Sequence, residues 1–121
     1  CIAGGISEAK KICALGEAYS IECIPHIGGI TAVGIAANLN LALSCRNVKQ
    51  LEVDGAMLQP MRDDIIEDDI FNIVRIKDGM LRPSGRPGLG IEIREDVLKD
   101  FKYERGPVYP DFYPQYGSGI L

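Results

Sequence analysis

Residues 21–30, IECIPHIGGI, decide how the rest of the chain is read. Ile21, Cys23 and Ile24 make a short apolar run, partly β-branched, with Glu22 as its one polar member; this reads as a strand. Pro25 and His26 follow at once, and His26 is the sole histidine of the chain. Gly28 and Gly29 come next, and residues without Cβ accept positive φ or let backbone pass close to a ligand. Thr31 can cap a helix running to about Ser44, in which Ala32, Val33, Ile35, Leu39 and Leu41 leave almost no polar face. A helix apolar nearly all round is buried on several sides. The order is therefore strand, functional-looking turn, buried helix.

Working outward, the same pattern recurs on both sides. Upstream, Ser7 reads as an N-cap with Glu8 in the first turn, and Ala9, Ile12, Cys13 and Gly16 recur at helical spacing through Ala18. Gly16 fits as a small contact residue, and Tyr19-Ser20 end the helix. Downstream, Arg46-Asn47 form a turn, and Lys49 to Val53 (KQLEV) is a second strand, broken by Asp54-Gly55. Successive strand–helix units predict an α/β fold with parallel strands, because each helix carries the chain back across the sheet. Catalytic groups then gather at the C-terminal ends of the strands. His26 and Glu52 both fall there.

Past Gly55 the character changes. Asp63, Asp64, Glu67, Asp68 and Asp69 form an acidic cluster that reads as a solvated loop and short helix; its spacing does not fit a Ca²⁺ loop. Asp78-Gly79 is a strong hairpin turn between Phe71–Ile76 and a strand beginning at Met80. The glycines of RPGLGIEI suit a tight irregular path, since no strand–turn–helix surrounds them to make a phosphate loop. Glu95 to Phe101 is a short amphipathic helix, and the Tyr- and Pro-rich tail from Tyr103 reads as extended along a surface.

The composition narrows the classes. At 121 residues, 46% hydrophobic and 25% charged, the chain is ordinary for a globular protein. A net charge of −4 speaks against nucleic acid or an anionic membrane as partner. No apolar run reaches the roughly 18 residues that span a bilayer. Cys1, Cys13, Cys23 and Cys45 are scattered without a CxxC, and read as small thiols of a reducing, cytoplasmic compartment. The sequence starts without Met, at what reads as a strand end, so it is expected to be part of a longer polypeptide; a signal peptide upstream stays open.

A lone histidine serves structure more often than catalysis, and a strand-end glutamate can simply pair with a basic neighbour such as Lys49. Three features favour function: His26 follows Pro in a Gly-rich turn, it sits at a strand end, and Glu52 occupies the equivalent end of the next strand. An imidazole suits proton transfer at neutral pH, and a neighbouring carboxyl group can hydrogen-bond a developing negative charge. No nucleophile motif surrounds Ser44 or the cysteines, and no complete metal site is visible.

Taken in order, GGISEAKKICALGEAY, IPH, the buried helix, LEVD, the Asp-Gly hairpin and PGLGIEI resemble the C-terminal part of the enolase superfamily. The mandelate racemase-like group, with its acid-sugar dehydratases, fits best. The resemblance covers about Ala3 to Phe101. It implies the C-terminal part of a modified (β/α)8 TIM barrel, from the end of strand 6 through strand 8: residues 1–70 would be the last βα units. Residues 71–121 would be a hairpin, short helix and extended tail that pack on a capping domain. The family removes a proton next to a substrate carboxylate and holds the resulting enediolate on Mg²⁺. By this resemblance His26 is the seventh-strand acid/base, and Glu52 the eighth-strand residue that hydrogen-bonds the substrate carboxylate. The Mg²⁺ ligands, and the aspartate partner of the histidine, would lie upstream of Cys1, and the acidic cluster is not at the metal positions.

The expected activity is therefore that of a sugar-acid dehydratase giving a 2-keto-3-deoxy acid, with racemase or epimerase action on a 2-hydroxy acid as the alternative. The partners implied are a small sugar acid or 2-hydroxy acid and further copies of the full-length protein. A rival of another class is a non-catalytic truncated barrel piece used for assembly or ligand binding. The isolated 121 residues are expected to be inactive and poorly folded.

Overall fold

The computed structural model describes residues 3–27, 30–52, 64–67, 75–77 and 79–102. Helix α1 spans Ile6–Ala18 and α2 spans Ala32–Leu43. An antiparallel hairpin follows, β1 (Arg75–Lys77) and β2 (Met80–Arg82), and then a single-turn helix α3 (Glu95–Leu98).

The core forms around α2. Ala32, Ile35, Ala36 and Leu39 are buried together with Ile27, Ile65 and Ile66; Ile30, Val33, Leu51, Leu81, Leu89, Ile91 and Phe101 pack against them. This matches the expectation from its all-round apolar sequence. Thr31 caps it, its Oγ1 accepting from the Gly34 amide at 3.3 Å. Its two asparagines avoid a desolvation cost by bonding back along the helix, Asn38 Nδ2 to the Gly34 carbonyl and Asn40 Nδ2 to the Ala36 carbonyl, each at 2.8 Å.

Helix α1 starts two residues earlier than an N-cap at Ser7 would put it. Gly5 is its N-cap, no side chain caps it, and Ser7 lies inside the first turn. Its inner face is also narrower than expected: Cys13 is buried but Ile12 is more than half exposed. The helix ends in a Schellman turn. Ser20 adopts positive φ (57°), its amide bonds the Glu17 carbonyl at 3.0 Å, and the Ile21 amide bonds the Gly16 carbonyl at 2.8 Å. That turn sends the chain back along α1 at Ile21.

The two expected strands are present only in outline. Neither Ile21–Ile24 nor the described part of Lys49–Val53 forms a regular strand; the segments meet in a single parallel bridge, His26 with Glu52. A barrel strand draws its regularity from ladders on both sides, and the described residues give each segment one neighbour at most.

The hairpin pairs Lys77 with Met80, so its loop is two residues long, as an Asp-Gly turn demands; Gly79 has φ 72° and Asp78 lies outside the described residues. Residues 71–74 and the tail from Tyr103 also lie outside them. Gly88 and Gly90 take positive φ in the irregular path after Arg86. The last helix is shorter than the Glu95–Phe101 predicted, ending at Leu98. Within the acidic stretch, Asp64 and Glu67 are exposed, as a solvated loop requires, but Ile65 and Ile66 between them are core residues. They are held by the Ile66–Ile93 bridge and by the Arg94 amide on the Ile65 carbonyl at 2.8 Å.

Candidate active site

Asn47 fastens the segment that carries His26. Its side-chain Nδ2 donates to the Cys13 carbonyl at 2.9 Å and to the Ile21 carbonyl at 3.0 Å. Its own carbonyl accepts from the Cys23 amide at 2.9 Å. One residue thus ties α1, the returning segment and the turn after α2 together. Gly16 makes room for this: a Cβ there would lie 3.0 Å from Cys23 Sγ and 3.2 Å from Asn47 Nδ2. Two residues beyond Cys23 the two segments meet again, where the Glu52 amide donates to the Pro25 carbonyl at 3.4 Å. Residues bridged in parallel point their side chains to the same face of the pair. His26 Nδ1 and Glu52 Oε2 are accordingly hydrogen-bonded to each other.

Both side chains remain accessible, with 73% of the His26 side chain and 52% of the Glu52 side chain exposed. Ile27, the next residue, is buried in the core, so the imidazole is presented outward from an anchored backbone. With Nδ1 on the carboxylate, Nε2 is the nitrogen aimed at solvent. The pair can orient an imidazole and present Nε2 for proton transfer.

A family model described as enolase C-terminal domain-like matches residues 1–97. The chain belongs to the enolase C-terminal domain-like family. The α/β enolase-superfamily fold and the mandelate racemase-like likeness expected from the motifs are both borne out. A D-galactonate dehydratase family member from Streptomyces bingchenggensis is 32% identical over 108 residues, covering 88% of this chain and 24% of that protein. An L-Ala-D/L-Glu epimerase from Clostridium acetobutylicum is 36% identical over 92 residues, covering 74% of this chain and 23% of the relative. Among solved structures, a mandelate racemase/muconate lactonizing enzyme from Sulfitobacter sp. superimposes with a TM-score of 0.66 at 32% identity, over 86% of this chain and 24% of that one. The chain thus spans about a quarter of the length of the relatives it matches.

For this enolase-family chain the two candidate residues, His26 and Glu52, come together. The resemblance implies Glu52 beside the substrate and an upstream aspartate beside the histidine; in this chain the Glu52 carboxylate is hydrogen-bonded to the imidazole. Asn47 was read only as a turn residue. The local pattern, a polar residue between Cys45 and Val48, carries no sign of its three bonds.

The superfamily generally uses Mg²⁺. The residues described do not make up a site for it: no group of three or more His, Cys, Asp or Glu side chains converges among them, and Glu52 turns its carboxylate onto His26. No helix among the described residues is long and apolar enough to cross a membrane.

Proposed function

We propose that this chain forms the C-terminal barrel segment, strands 7 and 8, of a sugar-acid dehydratase that yields a 2-keto-3-deoxy acid. Residues 1–70 contribute the last βα units, and residues 71–121 return toward a capping domain. His26 is the acid/base group, Glu52 its carboxylate partner at the barrel mouth, and Mg²⁺ is held by residues outside this chain. The single observation that carries the reading is the His26–Glu52 hydrogen bond across a parallel bridge, on a chain whose relatives include D-galactonate dehydratases.

Dehydration breaks the C–H bond next to the carboxylate and the C–O bond of the neighbouring hydroxyl. Neutral His26 takes the α-proton at Nε2 and returns it to the departing hydroxyl, which leaves as water; the resulting enol tautomerises to the keto acid. Glu52 holds the imidazole through Nδ1, so that Nε2 faces the leaving oxygen and the positive charge of the acid form is balanced until the proton departs. In its protonated form Glu52 can also hydrogen-bond the substrate carboxylate, whose oxygens gain negative charge once the α-proton is gone.

The test is to assay the complete polypeptide with Mg²⁺ on a panel of sugar acids, comparing wild type with His26→Asn. General acid–base catalysis is worth about 10²- to 10⁴-fold, and turnover should fall by that order; undiminished turnover would remove His26 from the reaction. The epimerase relative favours a second reading, proton exchange without loss of water. Solvent-deuterium incorporation into unreacted acid, without keto acid formation, would select it.

A further inference from the structure

The segments that carry His26 and Glu52 run side by side, yet little fixes one against the other. The Cys23 amide bonds the Asn47 carbonyl at 2.9 Å, and the Glu52 amide bonds the Pro25 carbonyl at 3.4 Å. A regular parallel pair in the register of the His26–Glu52 bridge would carry four more rungs on its N-terminal side. Gln50 would supply two, from its amide to the Cys23 carbonyl and from its carbonyl to the amide of residue 25. The second cannot form, because residue 25 is proline and has no N–H. Among the described residues no backbone hydrogen bond joins the Cys23 carbonyl or Ile24 to residues 48–51.

Val48 would supply the other two rungs, to the Ile21 carbonyl and the Cys23 amide. Asn47 takes both places. Its side-chain Nδ2 donates to the Ile21 carbonyl at 3.0 Å and its own carbonyl takes the Cys23 amide, while the Val48 amide turns to the Cys45 carbonyl at 3.4 Å. The same Nδ2 donates to the Cys13 carbonyl at 2.9 Å, which fixes the junction to α1. The amide cannot be turned over, since Oδ1 would then face two carbonyl oxygens. As it stands, Oδ1 is buried without a hydrogen-bond partner among the described residues, so the junction carries a costly unpaired acceptor in order to keep its two donors.

We propose that Asn47 is the positioning residue of the His26–Glu52 pair: it sets the register that brings the Glu52 carboxylate onto His26 Nδ1. The proposal rests on the roles given to His26 and Glu52 above. Asn47 lies five residues before Glu52, and it holds Ile21 and Cys23, five and three residues before His26. Both arms start from this one residue and run to the bridge with no backbone rung between. Without its side chain the Ile21 and Cys13 carbonyls lose their donor, and the arms are free to shift. A slip of one residue would set Leu51 opposite His26 and turn Glu52 to the other face.

The experiment uses the complete polypeptide carrying Asn47→Ala. Its crystal structure is expected to show His26 Nδ1 and Glu52 Oε2 beyond hydrogen-bonding reach, with α1 and α2 in their wild-type places. Turnover per folded molecule is expected to fall about 10²-fold, the loss that follows a displacement of about 1 Å. In a His26→Asn background the same substitution should cost no further turnover, because its effect runs through the imidazole. A merely structural role would lower the folded fraction and leave turnover per folded molecule unchanged. That outcome, an intact Nδ1–Oε2 bond, or equal losses in both backgrounds each overturns the proposal. Where Asn47→Ala does not fold, Gly16→Ala decides by the same readouts, since its Cβ would lie 3.2 Å from Asn47 Nδ2 and displace the amide without removing it. If the wild type turns over none of the sugar acids, the crystal structure still decides, so the positioning role and the dehydratase reading can fail separately.

Discussion

At the scale of single residues, His26 and Glu52 share one hydrogen bond, which combines orientation of the imidazole with a carboxylate beside the ring. Glu52→Gln separates those effects: the amide oxygen still accepts from Nδ1–H, but the charge and the exchangeable acid proton are gone. Removing a group that stabilises transition-state charge costs about 10²- to 10³-fold in turnover. Steady-state kinetics on the complete polypeptide should show that fall in kcat with little change in circular dichroism. Cys13 gives a pH prediction. Its thiol moves from 9.0 to about 11, with burial the main cause. Between those values the unfolded chain has lost the proton and the folded chain still holds it. Stability due to the neutral buried thiol is thus complete below pH 9 and is lost as pH rises toward about 11. Urea midpoints of the complete polypeptide measured across that window should fall in wild type and fall less in Cys13→Ala. The meeting of His26 with Glu52 was legible in the sequence because His26 is the single histidine and both fall at strand ends. Asn47 was not, because a half-buried asparagine that ties three segments together and a solvated one look alike in a turn.

At the scale of elements, the best-read piece was α2. Its composition allows only one environment, and Thr31 marks its start. The Asp-Gly hairpin was legible for the same kind of reason: few residues tolerate the backbone a two-residue loop requires. The ends of α1 were less so. Its start needs no side-chain cap, and its Schellman turn uses serine where glycine is usual. A non-glycine residue in that conformation costs about 1–2 kcal/mol. Ser20→Gly should therefore raise stability by up to about 1 kcal/mol in urea titration, part of the relief being lost to the greater freedom of the unfolded chain. Gly16→Ala tests the opposite case. Alanine is the better helix former by about 1 kcal/mol. Here its methyl group would press on Cys23 Sγ and Asn47 Nδ2 and come within 3.4 Å of the Ile21 carbonyl. Overpacking of this kind costs about 1–3 kcal/mol, so the substitution should destabilise despite its propensity. The missing strand regularity follows from neighbours, which no local pattern contains.

At the scale of the whole molecule, the core gathers on α2 while much apolar surface stays outside. Ile12, Leu15 and Tyr19 on or beside α1, Ile21 and Ile24 before the site, and Leu43 at the end of α2 are each more than half exposed. The segments carrying His26 and Glu52 touch through one parallel bridge, which leaves most of their backbone donors and acceptors without ladder partners among the described residues. A closed eight-strand barrel takes roughly 250 residues, and this chain spans about a quarter of the length of its relatives. Exposed apolar surface and open strand edges favour association over a unique fold. The isolated 121-residue chain should therefore bind a hydrophobic dye, elute as a mixture of sizes and melt broadly. The complete polypeptide should melt in a sharp transition, with His26 and Glu52 protected from solvent relative to the isolated chain. Differential scanning calorimetry with size-exclusion chromatography makes the comparison. A cooperative, concentration-independent transition of an isolated monomer would mean that α2 and its partners fold as a unit, and that the outer faces of α1 and the returning segment need no further cover.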